Sequence, residues 1–154
     1  MKTRNGQINE IIKCGKDPVY FMNKYLKIQH PLKGLIPFNT FPFQDDCVSD
    51  FNDNRFNIIL KSRQLGLSTL VAAYAVWQAV FYKEKNILII ATKLAVAQNF
   101  IRKVKTYIKS MPKWLLVPVI TANNKQQVEF SNGSQIKAVP TSEDAGRFEV
   151  LSLL

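Results

Sequence analysis

The sequence predicts an α/β domain with a mostly parallel sheet, and three observations carry that expectation. Phe56 to Leu60 is a short β-rich run that enters a polar turn with one glycine, Gly66. From Ser68 to about Tyr82 the chain is apolar nearly all round, as in a helix buried on most sides. Ile87 to Ala91 is then a continuous apolar run, suited to a strand covered on both faces. Strand, helix and strand in alternation make a β-α-β unit, the usual connection of parallel strands.

The bulk numbers agree with one folded unit. A chain of 154 residues with 47% hydrophobic content can bury a core. Its longest apolar runs, residues 87–91 and 115–120, fall far short of the roughly 20 residues that cross a bilayer. Met1 to Glu10 is polar and has no apolar leader segment, so no membrane partner is expected. Cys14 and Cys47 are widely spaced, with no second Cys or His near either, which argues against a metal knuckle or a disulfide framework and for a reduced, cytoplasmic setting. The balance of 21 Lys+Arg against 11 Asp+Glu, a formal charge of +10, predicts attraction to polyanions: nucleotide, nucleic acid or both.

Taken in order, Ile8, Ile11 and Ile12 fall at helical spacing between Asn5 and Lys13. Asp17-Pro18 is a helix start, Asp as N-cap and Pro at the first position, with Phe21, Met22, Tyr25 and Leu26 on one face. Pro31 to Phe43 is rich in proline and aromatics and reads as an extended connection. Another short helix begins at Phe43. Residues 1–42 thus form a helical lead and connection, and residues 43–154 the sheet-containing domain. Asn52-Asp53-Asn54 is a turn, and Arg55 to Leu60 is expected as the first strand of the central sheet. After Ile87 to Ala91, Thr92 caps a helix to about Ser110, with Leu94, Ala97, Phe100, Ile101, Val104 and Ile108 on one face. Lys93, Arg102, Lys103, Lys105 and Lys109 lie elsewhere on it, either a solvated surface or a DNA contact. Gln127 to Phe130 and Gln135 to Val139 flank an Asn-Gly turn, a strong hairpin signal. A polar loop, Thr141 to Arg147, leads to a last apolar run, Val150 to Leu154.

The chemistry concentrates at Lys61-Ser62-Arg63-Gln64-Leu65-Gly66-Leu67-Ser68-Thr69. Ligands of parallel sheets bind beyond the carboxyl ends of the strands, where this turn lies. Backbone N–H groups of the turn and of the first helical turn converge there on an anion. Lys61 is then a phosphate lysine or a surface lysine closing a strand. Arg63 holds a terminal phosphate with its fork of donors, or pairs with a carboxylate. Gly66 suits a backbone position with positive φ. Ser68 is the better Mg²⁺ hydroxyl and Thr69 its neighbour, though either also serves as an N-cap. The pattern departs from G-x-x-x-x-G-K-[ST]: Leu67 stands where the lysine would be and Lys61 where the first glycine would be. His30 stands before Pro31 with no acid or nucleophile pattern around it, and Glu143-Asp144 reads as a solvated turn.

Together with Ile87 to Lys93, Phe130-Ser131-Asn132-Gly133-Ser134-Gln135-Ile136 and Asp144-Ala145-Gly146-Arg147, the loop resembles the ATPase domain of the large terminase subunit of tailed bacteriophages, closest to the myovirus members. That family is the motor that packages DNA into the procapsid. The resemblance implies a P-loop NTPase fold (ASCE/RecA-like), with ATP and Mg²⁺ as cofactors. Its implied partners are double-stranded DNA, the portal protein, the small terminase subunit and further copies of the chain in a ring, in the host cytoplasm and transiently docked on the procapsid portal. It makes Lys61 to Ser68 a deviant Walker A, with Lys61 at the head of the loop and Arg63 a sensor of the γ-phosphate in cis. Gln44 resembles a glutamine that reads the adenine edge, and Arg147 an arginine acting in trans on a neighbouring subunit.

In that family a strand ending in two carboxylates follows the loop. Val150 to Leu154 resembles its beginning, so those carboxylates are expected past Leu154, as is the RNase H-like nuclease domain. The expectation is therefore an incomplete, N-terminal portion that does not turn over ATP by itself. Two other classes fit the same residues: a non-catalytic basic DNA-binding or assembly module, and a fragment of a related helicase-type ATPase.

Overall fold

The computed structural model describes residues 4–141. The expectations placed on Glu143, Asp144, Arg147 and Val150 to Leu154 lie outside the described residues. No helix among the described residues is long and apolar enough to cross a membrane.

The N-terminal third forms as its caps and periodicity dictate. Helix α1 spans Arg4–Lys16 and α2 spans Pro18–Tyr25. The Asp17 carboxylate accepts the Tyr20 N–H at 2.8 Å, closing the first turn of α2. One Glu10 carboxylate oxygen accepts from Tyr20 Oη, Lys24 Nζ and Tyr25 Oη at 2.7–2.8 Å, pinning the two helices together. The proline-rich connection is more ordered than the sequence suggests: strands β1 (Lys27–His30) and β2 (Gly34–Pro37) pair as an antiparallel hairpin. The His30 ring helps close the turn, its Nδ1 accepting the N–H groups of Leu32 and Lys33 at 3.1 and 3.2 Å. Helix α3 spans Pro42–Asp53.

Helix α4 (Leu67–Phe81) is the centre of the core, and its residues Leu70, Ala72, Ala73, Ala75, Val76 and Ala79 are fully buried. Its many alanines let α2, α3 and α5 (Leu94–Ser110) pack closely around it. A helix that is apolar on all sides needs this many neighbours.

The sheet differs from expectation. Strands β3 (Asn86–Ala91), β4 (Ile120–Asn123), β5 (Gln127–Phe130) and β6 (Gln135–Pro140) are ordered β3-β6-β5-β4. Only β3 and β6 are parallel, with Ile87 opposite Ile136; β5–β6 and β4–β5 are antiparallel. The described sheet is therefore mostly antiparallel. The reason is the tight turn at Asn132-Gly133, which folds β5 back on β6, and the short return that adds β4. The anticipated strand at Arg55 to Leu60 is also corrected: the segment is irregular and exposed, and it joins no ladder among the described residues. Its apolar side chains Ile58 and Leu60 are fully exposed. The parallel connection runs instead from β3 through α5 to β6. Strand β3 is covered only over its first half, where Ile87 and Leu88 are buried, whereas Ile90 is 44% exposed. The N-cap of α5 is Lys93, one residue beyond Thr92.

The β5–β6 turn also closes α4. Asn132 Nδ2 donates to the carbonyls of Ala79 and Tyr82 at 2.8 and 3.0 Å, and Ser134 Oγ donates to the Tyr82 carbonyl at 3.0 Å. These are the carbonyls a helix end leaves unpaired. Asn132→Ala is expected to lower the unfolding free energy by about 1–3 kcal/mol, the cost of unmet carbonyls. Asn132→Asp should cost at least as much, since a carboxylate would face carbonyl oxygens at the negative end of a helix dipole. Urea titration of the two variants checks this; a neutral Asn132→Asp would show that the side chain does not cap α4.

Candidate phosphate-binding site

The loop between Leu60 and α4 is built by its backbone. Gln64 (φ 65°) and Gly66 (φ 71°) both adopt left-handed conformations, two residues apart, which curls the chain back on itself. For Gln64 that conformation is uncommon, and such residues gather where a backbone is shaped for a ligand. Gly66 is the N-cap of α4 and has no side chain to cap with, so the first N–H groups of a 15-residue helix are not closed by a side chain.

Gln44 holds this loop in place. Its side chain is 2% exposed, with Oε1 accepting the Phe41 N–H at 3.1 Å and Nε2 donating to the Leu65 carbonyl at 3.1 Å. The start of α3 and the loop before α4 are thus joined through one amide. Both ends of that amide are engaged by the chain's own backbone, which leaves one N–H and one lone pair of the amide beyond these two bonds.

A cavity of about 990 Å³ opens beside the loop. Lys61, Ser68 and Thr69 line it, together with Ile59, Thr92, Asn99, Arg102 and Lys103. The fold therefore brings Lys61 to the same space as the two hydroxyls, as its place at the head of the loop suggested. Its Nζ lies 3.5 Å from the Ser62 carbonyl and is otherwise open to solvent. Leu67, at the position where the standard motif carries lysine, is 7% exposed and packs into the core. Ser62, Arg63, Gln64 and Leu65 are exposed on the rim of the turn, and none of them lines this cavity. Gln44 stands behind the loop.

Sequence reasoning missed the contribution of α5. Lys103 Nζ donates to Thr69 Oγ1 at 3.1 Å, and Tyr107 Oη donates to the Thr69 carbonyl at 3.0 Å. Burial holds the Lys103 amine below the ordinary lysine range and raises the Tyr107 phenol. Two of the five basic residues assigned to the outer surface of this helix are thereby partly withdrawn: Lys103 turns into the cavity, and Lys105 is tied to the Asn124 carbonyl at 2.7 Å. The signal was present in the spacing, because Lys103 stands three residues after Phe100 and four before Tyr107, both buried.

The donor side chains that line this space, the ammonium groups of Lys61 and Lys103 and the hydroxyls of Ser68 and Thr69, suit the oxygens of a phosphate chain. No carboxylate lines the cavity among the described residues, so a Mg²⁺ ion there would draw on the Ser68 hydroxyl and on phosphate oxygens.

A solved structure shares this fold. The crystal structure of the HK97 bacteriophage large terminase superposes with a TM-score of 0.65 at 19% identity, over 82% of this chain and 27% of that one. This likeness establishes the fold, and the chain spans little more than a quarter of that protein's length. The family described as terminase large subunit, T4likevirus-type, N-terminal, matches residues 58–149, which begin before the loop that precedes α4 and end past β6. With more than half of its residues matched, the chain belongs to that family, the N-terminal region of T4-like terminase large subunits.

Proposed function

We propose that this chain is the ATP-binding part of a phage DNA-packaging motor. The observation that carries the reading is the convergence of Lys61, Ser68 and Thr69 on one cavity at the start of α4. In this reading the loop is a deviant Walker A of a P-loop NTPase. Lys61 supplies the charge for the β- and γ-phosphates from the head of the loop, and Ser68 supplies the hydroxyl for Mg²⁺. Ser68 would help hold the ion, which would supply charge neutralisation for the phosphate oxygens. Arg63, exposed on the turn, is in this reading the side chain that meets a terminal phosphate, and Arg147 belongs to the same reading as a residue acting in trans. Gln44 positions the loop through Leu65.

The partners follow from the same proposal: double-stranded DNA, the portal protein, the small terminase subunit and a ring of identical subunits, in the host cytoplasm and docked on the procapsid portal. The charge distribution supports a polyanionic substrate, since between Arg55 and Thr141 the only acidic residues are Glu84 and Glu129. It does not favour a purely DNA-binding module built on α5, because Lys103 turns into the cavity and Lys105 is tied to the Asn124 carbonyl, so neither is part of one open basic strip.

Titration calorimetry with Mg·ATP tests the reading. Lys61→Ala is expected to weaken binding by about ten- to a hundredfold, the worth of a hydrogen bond to a charged group. Equal affinity of Lys61→Ala and the parent chain would remove Lys61 from the site and with it the deviant Walker A.

A further inference from the structure

We infer that Lys103 is a second phosphate-binding cation, reaching the anion from α5 while Lys61 reaches it from the loop. The inference deepens the proposed ATP site and rests on that reading for the nature of the ligand.

Three observations support it. First, Lys103 lines the same cavity as Lys61, Ser68 and Thr69, although it lies far from them in the chain. Second, its ammonium is half-buried, and its one hydrogen-bond partner among the described residues is a neutral hydroxyl, Thr69 Oγ1 at 3.1 Å. A charge withdrawn from water is ordinarily paired with an opposite charge. Among the described residues no carboxylate lines this space, so an incoming anion is what would balance it. Third, the position of Lys103 is held by its neighbours. Tyr107, one turn further along α5, donates to the Thr69 carbonyl at 3.0 Å and fixes α5 against the first turn of α4. Burial lowers the amine's proton affinity, as it should for a charge awaiting its partner.

The Lys103–Thr69 contact has a further consequence. With a lone pair of Thr69 Oγ1 engaged by the ammonium, the hydroxyl proton is left to donate to a phosphate oxygen. Lys103 therefore binds the anion directly and also orients Thr69 toward it. Arg102 lines the cavity too, but its guanidinium donates to the Asn99 side chain, which holds it aside.

The test uses the whole chain with three probes: Mg·ATP, inorganic tripolyphosphate and adenosine. Lys103→Met keeps the apolar stem and removes the charge. It is expected to weaken tripolyphosphate and Mg·ATP by about ten- to a hundredfold and to leave any adenosine affinity unchanged, with Lys103→Arg recovering most of the loss. Affinity for tripolyphosphate within about twofold of the parent would overturn the proposal. A second measurement needs no variant. Acylation of the parent's lysines, read by mass spectrometry, should show Lys103 protected by tripolyphosphate while Lys109, exposed on the same helix, labels as before. Unprotected Lys103 in the saturated chain would also overturn it. The two readings separate cleanly: sensitivity to Lys61→Ala with indifference to Lys103→Met removes Lys103 alone, and binding of tripolyphosphate but not ATP removes the nucleotide and retains the anion site. A parent chain that binds neither removes both.

Discussion

Trp77→Ala is expected to lower the unfolding free energy by about 3–5 kcal/mol, the usual cost of emptying a buried aromatic site. The melting temperature should fall by roughly 6–20 °C in a chain of this size. The side chain is 3% exposed and packs against Tyr74 and Tyr82, with ring centroids 5.4 and 5.2 Å away. Its Nε1–H also donates to the Cys14 carbonyl at 2.8 Å. That bond has a cause in the sequence. In a continuous helix the Cys14 carbonyl would accept the N–H of residue 18, which is Pro18 and has none. The proline that starts α2 leaves a buried carbonyl at the end of α1, and the indole of α4 supplies the donor. Trp77→Phe keeps most of the volume and removes only the donor, so it should cost about 1–3 kcal/mol. Chemical denaturation of both variants decides the matter; a Trp77→Phe as stable as the parent would mean that the Cys14 carbonyl has another partner.

This pairing shows what was legible in the sequence and what was not. The start of α2 could be read directly from Asp17-Pro18, because a cap is a local device and the interaction spans three residues. The bond from Trp77 to the Cys14 carbonyl could not, since Trp77 comes from a helix that meets α1 only in the folded chain. The same division runs through the sheet. The β5–β6 hairpin was legible because an Asn-Gly turn specifies its own pairing, and α4 and α5 because apolar periodicity over many residues is hard to mistake. The β1–β2 hairpin was hidden by short strands around a proline-containing turn, where local signals favour a simple connection.

Residues 55–60 failed for a different reason. Their composition favours a strand, but a strand requires a partner, and propensity says nothing about whether one is adjacent. At the site, Lys61, Ser68 and Thr69 were legible together because they are neighbours in one loop and its helix. Lys103 was hidden among other basic residues of an amphipathic helix. Its spacing from Phe100 and Tyr107 placed it at the edge of the buried face, and only packing against Thr69 turned it inward. Gln44 was chosen by resemblance for its amide, and the structure shows that amide spanning α3 and the loop.

Gly66→Ala is the second large effect, and Gly34→Ala supplies its internal control. The two glycines have nearly the same backbone, φ 71° at Gly66 and 70° at Gly34. An alanine at either position pays the left-handed conformation, about 1–2 kcal/mol. They differ in what a Cβ would meet. At Gly34 nothing lies within 4 Å, whereas at Gly66 the new atom would stand 3.0 Å from Gln44 Nε2. That amide is buried and held at both ends, so it cannot swing away without breaking its bond to the Leu65 carbonyl or the Phe41 N–H. Leaving those groups unpaired adds about 1–3 kcal/mol. Gly66→Ala is therefore expected to cost about 2–5 kcal/mol in total and Gly34→Ala only the first part. The functional consequence separates them further. A displaced Leu65 moves the backbone of the proposed phosphate loop, so Gly66→Ala should weaken Mg·ATP at least about tenfold, and Gly34→Ala, in the turn of the β1–β2 hairpin, should leave it unchanged. Urea titration and calorimetry on the pair read both effects. Equal stability losses would mean that the Gln44 amide yields freely, and the phosphate loop would then owe its shape to its own backbone alone.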